Sequence, residues 1–249
     1  MVAVPQFPPE ILQHIISTTW QMPLGSTDRI VFMRASALVN STWADIFDLV
    51  STRDVYVPSA AFCDHFIGQL RMQQPSAPAA PPSSPLSRLF RALTKPSKTC
   101  SVKRRSPNLS CTSITFQLAN VDVHPDRHNR VRLPMAAALD ELLENIDARS
   151  LTPNLRVFTI EYLNAGFDDV LARSTLDALP EQVTDLCVRY AFSPEMPPML
   201  LRALQQQQER KRKVAWRSHT LRDVTIVGAG QYAASDMSRA CPSARIVCL

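Results

Sequence analysis

Val227-Gly228-Ala229-Gly230-Gln231-Tyr232-Ala233 is the stretch that comes nearest to a cofactor motif, a G-x-G-x-x-A directly after an expected strand. In a dinucleotide-binding fold such glycines let the backbone approach a pyrophosphate, which rests on a helix N-terminus. That fold also needs a following strand with an acid about 20 residues on. Only 16 residues remain after Ala233, so a glycine-rich strand end is the simpler reading. His124 and His128, with Asp122 and Asp126 beside them, carry metal-ligand chemistry. They sit in a Pro-containing polar loop with no cysteine near and no second ligand pair, which predicts a solvated loop. G-x-S-x-G, Walker and H-E-x-x-H patterns do not occur. The sequence therefore predicts no catalytic constellation, no metal and no cofactor; a nucleotide-dependent enzyme would rest on one glycine pair.

The six cysteines (63, 100, 111, 187, 241 and 248) lack C-x-x-C spacing and are mixed among apolar residues, as buried free thiols of a reducing compartment are. The first ten residues lack a basic region followed by a long apolar run, and no stretch has the ~18 apolar residues of a membrane span. A soluble protein of the cytoplasm, the nucleus or both is expected, without membrane contact. The net charge of +5 invites a nucleic-acid reading. Yet His65 to Val121 contains no acid and eight cations, from Arg71 to Arg105, leaving the remainder near −3 (5 − 8). The basicity belongs to a segment, not to a folded DNA-binding face, and no nucleic-acid partner is expected.

The elements that must position any functional residue fall into three stretches. In 1–72, Pro8-Pro9-Glu10 makes a good helix start, and Ile11, Leu12, Ile15, Ile16 and Trp20 follow at helical spacing. Met22-Pro23-Leu24-Gly25 breaks that helix, and Ser26-Thr27-Asp28 offers the next cap. Ile30, Val31, Met33, Leu38 and Val39 predict a second helix. Asn40-Ser41 caps a third, with Trp43, Ile46, Phe47 and Val50 inward. Val55-Tyr56-Val57 reads as a short extended piece, and Phe62, Phe66, Ile67 and Leu70 form a fourth apolar helical face.

The stretch 73–110 is rich in proline and serine, seven of each between Pro75 and Pro107, and predicts a disordered linker. Within it Leu86, Leu89, Phe90 and Leu93 could form a short helical motif. Lys103-Arg104-Arg105-Ser106-Pro107 could be a nuclear signal or a phosphosite.

In 111–249 apolar residues recur at positions 0, +3 and +5: Cys111-Ile114-Phe116, Leu155-Phe158-Ile160, Val183-Leu186-Val188, Leu221-Val224-Ile226 and Ala244-Val247-Leu249. Proline-containing lead-ins precede several of them. Helices are expected between, clearest at 135–146 and 199–213, with others at 170–179 and 232–239. Each strand-helix unit has one apolar face that it cannot bury alone, so neighbours must stack. Parallel strands would then present the alternate residues outward: Arg156, Thr159 and Glu161; Asp185, Cys187 and Arg189; Arg222 and Thr225. That surface is mixed in charge and suits a protein ligand rather than a small molecule. Leu249 falls on the last inward position of a strand, so either the protein continues or another segment must protect this edge.

Two resemblances rest on these residues. Phe7-Pro8-Pro9-Glu10-Ile11-Leu12, followed by Ile15-Ile16, resembles the opening of an F-box, with Phe7 in place of the usual leucine. Ala37-Leu38-Val39-Asn40-Ser41-Thr42-Trp43 resembles its second block, though the gap between blocks is longer than usual by about two helical turns. The first 57 residues are similar to the F-box-like proteins abundant in mushroom-forming fungi, and the later pattern resembles an irregular leucine-rich repeat. The resemblance implies an α+β protein, a helical F-box-like module followed by a leucine-rich-repeat-like solenoid. It implies a Skp-type adaptor protein docked on Phe7, Pro8, Pro9, Glu10, Ile11, Leu12, Ile15, Leu38, Val39 and Trp43, and through it a cullin ubiquitin ligase. The repeat body would hold the protein substrate. Three short helices bury too little area to be robust alone, so their spare apolar surface either meets another protein or seats the helices on the same chain.

Overall fold

Pro9 and Glu10 open helix α1 (Pro9–Gln21), where proline costs no helical hydrogen bond and the acid faces the amide end. The computed structural model describes residues 7–22, 24–72, 107–119, 134–149, 151–163, 176–177, 179–192, 198–199, 202, 215–229 and 231–249. Helix α2 (Ser26–Ser36) begins one residue before the expected cap is complete, because Gly25 and not Ser26 occupies the N-cap position. It also ends earlier than its apolar pattern suggests. Asn40 must leave helical geometry, at φ −168° and ψ 171°, to accept the Trp43 N–H and cap α3 (Ser41–Arg53). Leu38 and Val39 are thereby placed in an exposed turn between the helices.

The inward stripe of α2 is not wholly apolar. Val31 points to solvent, and Arg29, Phe32, Met33 and Ser36, at i, i+3, i+4 and i+7, face the other helices. Two of those four are polar, which hides the stripe from a reading that scores only apolar residues.

Helix α3 runs directly into strand β1 (Asp54–Val57), which α4 (Ala60–Met72) follows. After 73–106, which with its expected motifs lies outside the described residues, Pro107–Ser110 forms a short helix, α5. The last residues assigned to the linker are thus ordered. Strand β2 (Ser113–Ala119), helix α6 (Pro134–Arg149) and strands β3 (Val157–Leu163), β4 (Asp185–Ala191) and β5 (Asp223–Val227) come next. Helix α7 (Gln231–Ala240) and strand β6 (Arg245–Cys248) complete the order. The loop holding His124 and His128 and nearly all of the helices expected at 170–179 and 199–213 lie outside the described residues.

All six strands are parallel and lie side by side in chain order, β1 to β6, in an open sheet. The chain is thus a mixed helix-and-strand protein built on an open parallel sheet, in keeping with the expected combination of helices and stacked parallel strands. β1 and α4, grouped by sequence with the N-terminal helices, pair and pack with the body: β1 lies against β2, and α4 packs on α6. Arg71 ties the two helices, its guanidinium donating to the Asn145 side chain at 2.8 and 3.1 Å.

Register explains the recurrent pattern. Val55, Ile114, Phe158, Leu186, Val224 and Ile246 stand side by side across the sheet, and Val57, Phe116, Ile160, Val188, Ile226 and Cys248 form the next row. Cys111, Leu155, Val183 and Leu221, at position 0, are fully buried beneath the lead-ins. These rows up to β5, with the half-buried Ile246, α4, α6 and the inner side of α7, make one core, and Cys248 lies at its exposed edge. Each large side chain in it contributes about 1.5–3 kcal/mol by leaving water. The proline lead-ins are tight turns, with Leu155 N–H bonded to Thr152 O, Val183 to Pro180 O and Ala244 to Cys241 O.

In the last unit the expected inward residues are wrong. Ile246 and Cys248 take the inward rows, and Val247 and Leu249 are exposed, Leu249 by 75%. In earlier units two successive N–H groups, such as those of Arg222 and Asp223, share the preceding carbonyl before the ladder begins. In β6 Arg245 alone spans that step, bonding Arg222 O and pairing Asp223. One residue fewer after the turn reverses every later side chain.

Gly228, the first glycine of the motif at 227–233, has φ +78° and its N–H bonds Leu249 O. A Cβ there would lie 2.4 Å from the Tyr190 carbonyl oxygen. Its presence is explained by strand packing. The order of strands never reverses, so the sheet lacks the switch-point crevice where dinucleotides bind.

Of the described cysteines, Cys63, Cys111 and Cys241 are buried as expected, Cys187 is half-buried and Cys248 is exposed. Burial pushes the Cys63 and Cys111 thiols up to about 12 and Cys241 to about 11. Two outcomes follow for the intact protein. Gly228→Ala should lose about 2–4 kcal/mol in urea unfolding, from left-handed strain plus the clash; a loss below about 1 kcal/mol would contradict the geometry. At pH 8 a thiol reagent should label the exposed Cys248 promptly, and Cys63, Cys111 and Cys241 only as the protein unfolds, since these three are enclosed and burial holds their thiols well above the ordinary range, where little thiolate forms. Prompt native labelling of Cys63 would show that the core is not closed.

Candidate functional site

Strand alternation sends Tyr56 to the opposite side of β1 from Val55 and Val57. There it joins Ile16, Trp20 and Val50 in a second, smaller core, with Phe32, Met33, Trp43, Ile46 and Phe47 packed around it. The first three helices therefore cover the outward face of the sheet at its β1 end. Trp20 Nε1 donates to Asp54 O at 2.7 Å, and its ring meets Tyr56 and Phe47 edge-on.

Arg29 is the charged member of this junction. Only 7% of the residue is exposed, and its guanidinium lies over the Trp20 and Tyr56 rings at 5.1 and 4.6 Å. Its two terminal nitrogens donate to Trp20 O at 2.6 Å and Met22 O at 3.0 Å, closing the carbonyl end of α1. Burial pushes the guanidinium below its ordinary range, and the field of Glu161 opposes that shift.

Past the junction the outward face opens. Thr159, Glu161, Asp185, Arg189 and Thr225, all expected there from sequence, do share it: Glu161 stands beside Arg189, and Thr159, Cys187 and Thr225 lie in one row. Arg189 donates to Glu161 Oε1 at 3.3 Å. Asp185 accepts from the Thr184 hydroxyl, and Asp223 from Arg245. Arg156 and Arg222 are placed differently. They precede their strands, their backbones join the lead-in ladder, and the Arg156 side chain turns to the Gln182 carbonyl at 3.1 Å. Val157 and Asp223 hold the outward places that sequence gave to them.

Where the helices meet the open face there is a cavity of about 350 Å³. Asp54, Tyr56, Ser113, Thr115 and Val157 form its floor, Glu161 and Arg189 its far end, and Trp20, Gln21 and Arg29 its wall. The outward face thus contains a small pocket as well as the broad surface expected. Glu161 and Arg189 were foreseen; Arg29, Asp54, Tyr56, Ser113, Thr115 and Val157 were not. Counting the 0, +3, +5 pattern one unit earlier, from Thr52 through Val55 and Val57, would have placed Asp54 and Tyr56 on this face. The 29, 32, 33, 36 spacing would have flagged Arg29.

The residues expected to meet an adaptor protein divide into two sets. Phe7, Pro8, Pro9, Glu10, Ile11 and Ile15 are exposed, as are Leu38 and Val39. Leu12 is half-buried, and Trp43 is turned into the helical core with its Nε1 enclosed. Ile11 and Ile15, at i and i+4, lie on the side of α1 away from Ile16 and Trp20, and Phe7 is exposed just before the helix. Among the described residues no helix is long and apolar enough to cross a membrane, and no cluster of side chains has metal-ligand geometry. No family model matches the chain, and no curated protein or solved structure matches it.

The Arg29 fork is the interaction at this junction most open to test. Arg29→Met should lower stability by about 1–3 kcal/mol, by leaving the α1 carbonyls without their donor. Arg29→Lys should also lose stability, because an ammonium cannot reproduce the planar fork. Full stability of the lysine variant in a denaturant titration would show that the two-carbonyl contact carries nothing.

Proposed function

We propose that the chain is a non-catalytic adaptor of F-box type: its N-terminal helices dock on a Skp-type protein of a cullin ubiquitin ligase, and the outward face of a leucine-rich-repeat-like solenoid holds a protein target. The observation that carries this is the double-sided character of α1. Ile16 and Trp20 face the helical core, Ile11 and Ile15 remain 46 and 39% exposed on the other side, and Phe7, just before the helix, is 67% exposed. Leu38, at 84%, and Val39 add exposed apolar surface in the turn before α3. Such side chains gain roughly 1–2 kcal/mol each when a partner covers them, and a helix with an apolar stripe is suited to packing on another protein's helices. The strands, laid side by side in chain order with described helices before β2, β3 and β6, support the repeat reading of the body.

One observation favours a second reading, a protein-interaction scaffold without ligase coupling. Trp43, which the F-box resemblance assigns to the adaptor contact, packs into the helical core.

The full chain should coprecipitate with a purified Skp-type adaptor. The double variant Ile11→Asp, Ile15→Asp should bind at least about a hundredfold more weakly, with its melting temperature unchanged because both residues face solvent. Absence of binding by the unaltered chain would rule out ligase coupling and leave the scaffold. Equal binding by the double variant would show that α1 is not the docking face.

A further inference from the structure

We infer that the pocket between the N-terminal helices and the sheet binds a carboxylate, held by the Arg29 guanidinium and supplied by an acidic side chain or the C-terminus of a peptide. The peptide source rests on the reading of the outward face as a target-binding surface; the carboxylate site does not.

A guanidinium has five N–H donors. Arg29 spends two of them on Trp20 O and Met22 O, and the others have no acceptor among the described residues. Its Nε is wholly enclosed without a partner. An unmatched buried cation is costly to hold, and here it borders an open cavity rather than a sealed core.

The neighbouring charges do not neutralise it. Asp54 pairs with Arg53 at 2.8 Å, and Glu161 pairs with Arg189 at 3.3 Å. No carboxylate among the described residues comes within ion-pair distance of Arg29. The cavity lining thus holds two cations and two carboxylates, but both carboxylates are turned to other arginines, which leaves Arg29 without an acid of its own. A monoanion supplies that missing acid; a phosphate dianion brings a second negative charge toward Asp54 and Glu161. A carboxylate accepts strong hydrogen bonds from a guanidinium, here from the terminal N–H groups that Trp20 O and Met22 O leave over, and the Thr115 hydroxyl on the floor is a further donor at hand. A cavity of about 350 Å³ is near the lower limit of ligand sites, room for one side chain and its adjoining backbone rather than for a large cofactor.

The experiment follows the Arg29 Nε–Hε resonance of the full-length protein by NMR, identified by its disappearance in Arg29→Lys. Probes are propionate, propionamide, methyl phosphate, and three blocked peptides: acetyl-Ala-Glu-Ala-amide, acetyl-Ala-Gln-Ala-amide and acetyl-Ala-Ala-Ala with a free C-terminus. Propionate should shift the resonance saturably, propionamide and the glutamine peptide should not, and methyl phosphate should bind at least about tenfold more weakly than propionate. One of the two carboxylate-bearing peptides should exceed propionate in affinity, and which one does so distinguishes side chain from terminus. Glu161→Gln leaves the Arg29 contacts intact and removes the facing negative charge, so it should tighten propionate roughly tenfold, about 1.4 kcal/mol. No response to propionate or to either carboxylate peptide up to about 50 mM, weaker than any useful affinity, would overturn the site. Tighter binding of methyl phosphate would overturn the monoanion assignment. Response to propionate with no gain from either peptide would uphold the site and sink the target-binding reading of the face.

Discussion

A single strand of four residues joins two cores that would otherwise have nothing in common. Val55 and Val57 of β1 point into the core shared by the sheet and its covering helices, and Tyr56 points into the core of α1, α2 and α3. Because neighbouring side chains of a strand must face opposite ways, the helical module is fixed to the outward face as soon as β1 pairs with β2. The helices cannot be regarded as a separate hook on a tether. Trp20, bonded to the Asp54 carbonyl, and α3, continuous with β1, leave their orientation little freedom.

The parallel, sequential sheet explains how units of unequal spacing build one body. A parallel crossover needs only to return the chain to the same end of the sheet, so its length can vary while the ladder is unchanged. What cannot vary is the number of residues between the turn and the strand. The first four lead-ins keep it, and their inward rows are continuous. β6 lacks one residue there, and the consequence is visible in the exposure of Val247 and Leu249. Tolerance of long insertions beside intolerance of a one-residue change is what register physics requires.

How much of this was legible in the sequence follows from the same distinction. The inward residues of β2 to β5 were readable because period-2 alternation beneath a proline turn is a strong local signal, and α1, α3 and α6 were readable from apolar spacing. Strand β1 was seen as an extended piece, but its place in the sheet was not, since four residues carry no information about which strand they pair with. The inward face of α2 is not legible in the sequence, because Arg29 and Ser36 occupy buried positions that hydrophobic periodicity scores as surface. Of the candidate site, Glu161 and Arg189 lay within reach of the strand pattern. The pocket itself did not: it exists only where elements distant in sequence, Trp20 and Arg29 against Ser113 and Thr115, converge. A linear pattern has no way of expressing that convergence.

The charge arrangement along the outward face shows why its chemistry is concentrated at one end. Each strand contributes one residue to each row, so a charge can be balanced only by its neighbours in the row or by the lead-in beside it. Toward β6 this happens locally, Arg245 with Asp223, and in the middle Arg189 with Glu161. At β1 the row ends, and the next cation is supplied not by another strand but by a helix of the second core. Arg29 is held there by aromatic faces and backbone carbonyls rather than by an acid. Those contacts fix its position without cancelling its charge. A fixed, unneutralised charge beside a cavity is the condition under which a small anion gains most from binding, because little rearrangement precedes the contact. The uncancelled charge of this face therefore lies not within its rows of strand residues but at the place where those rows stop.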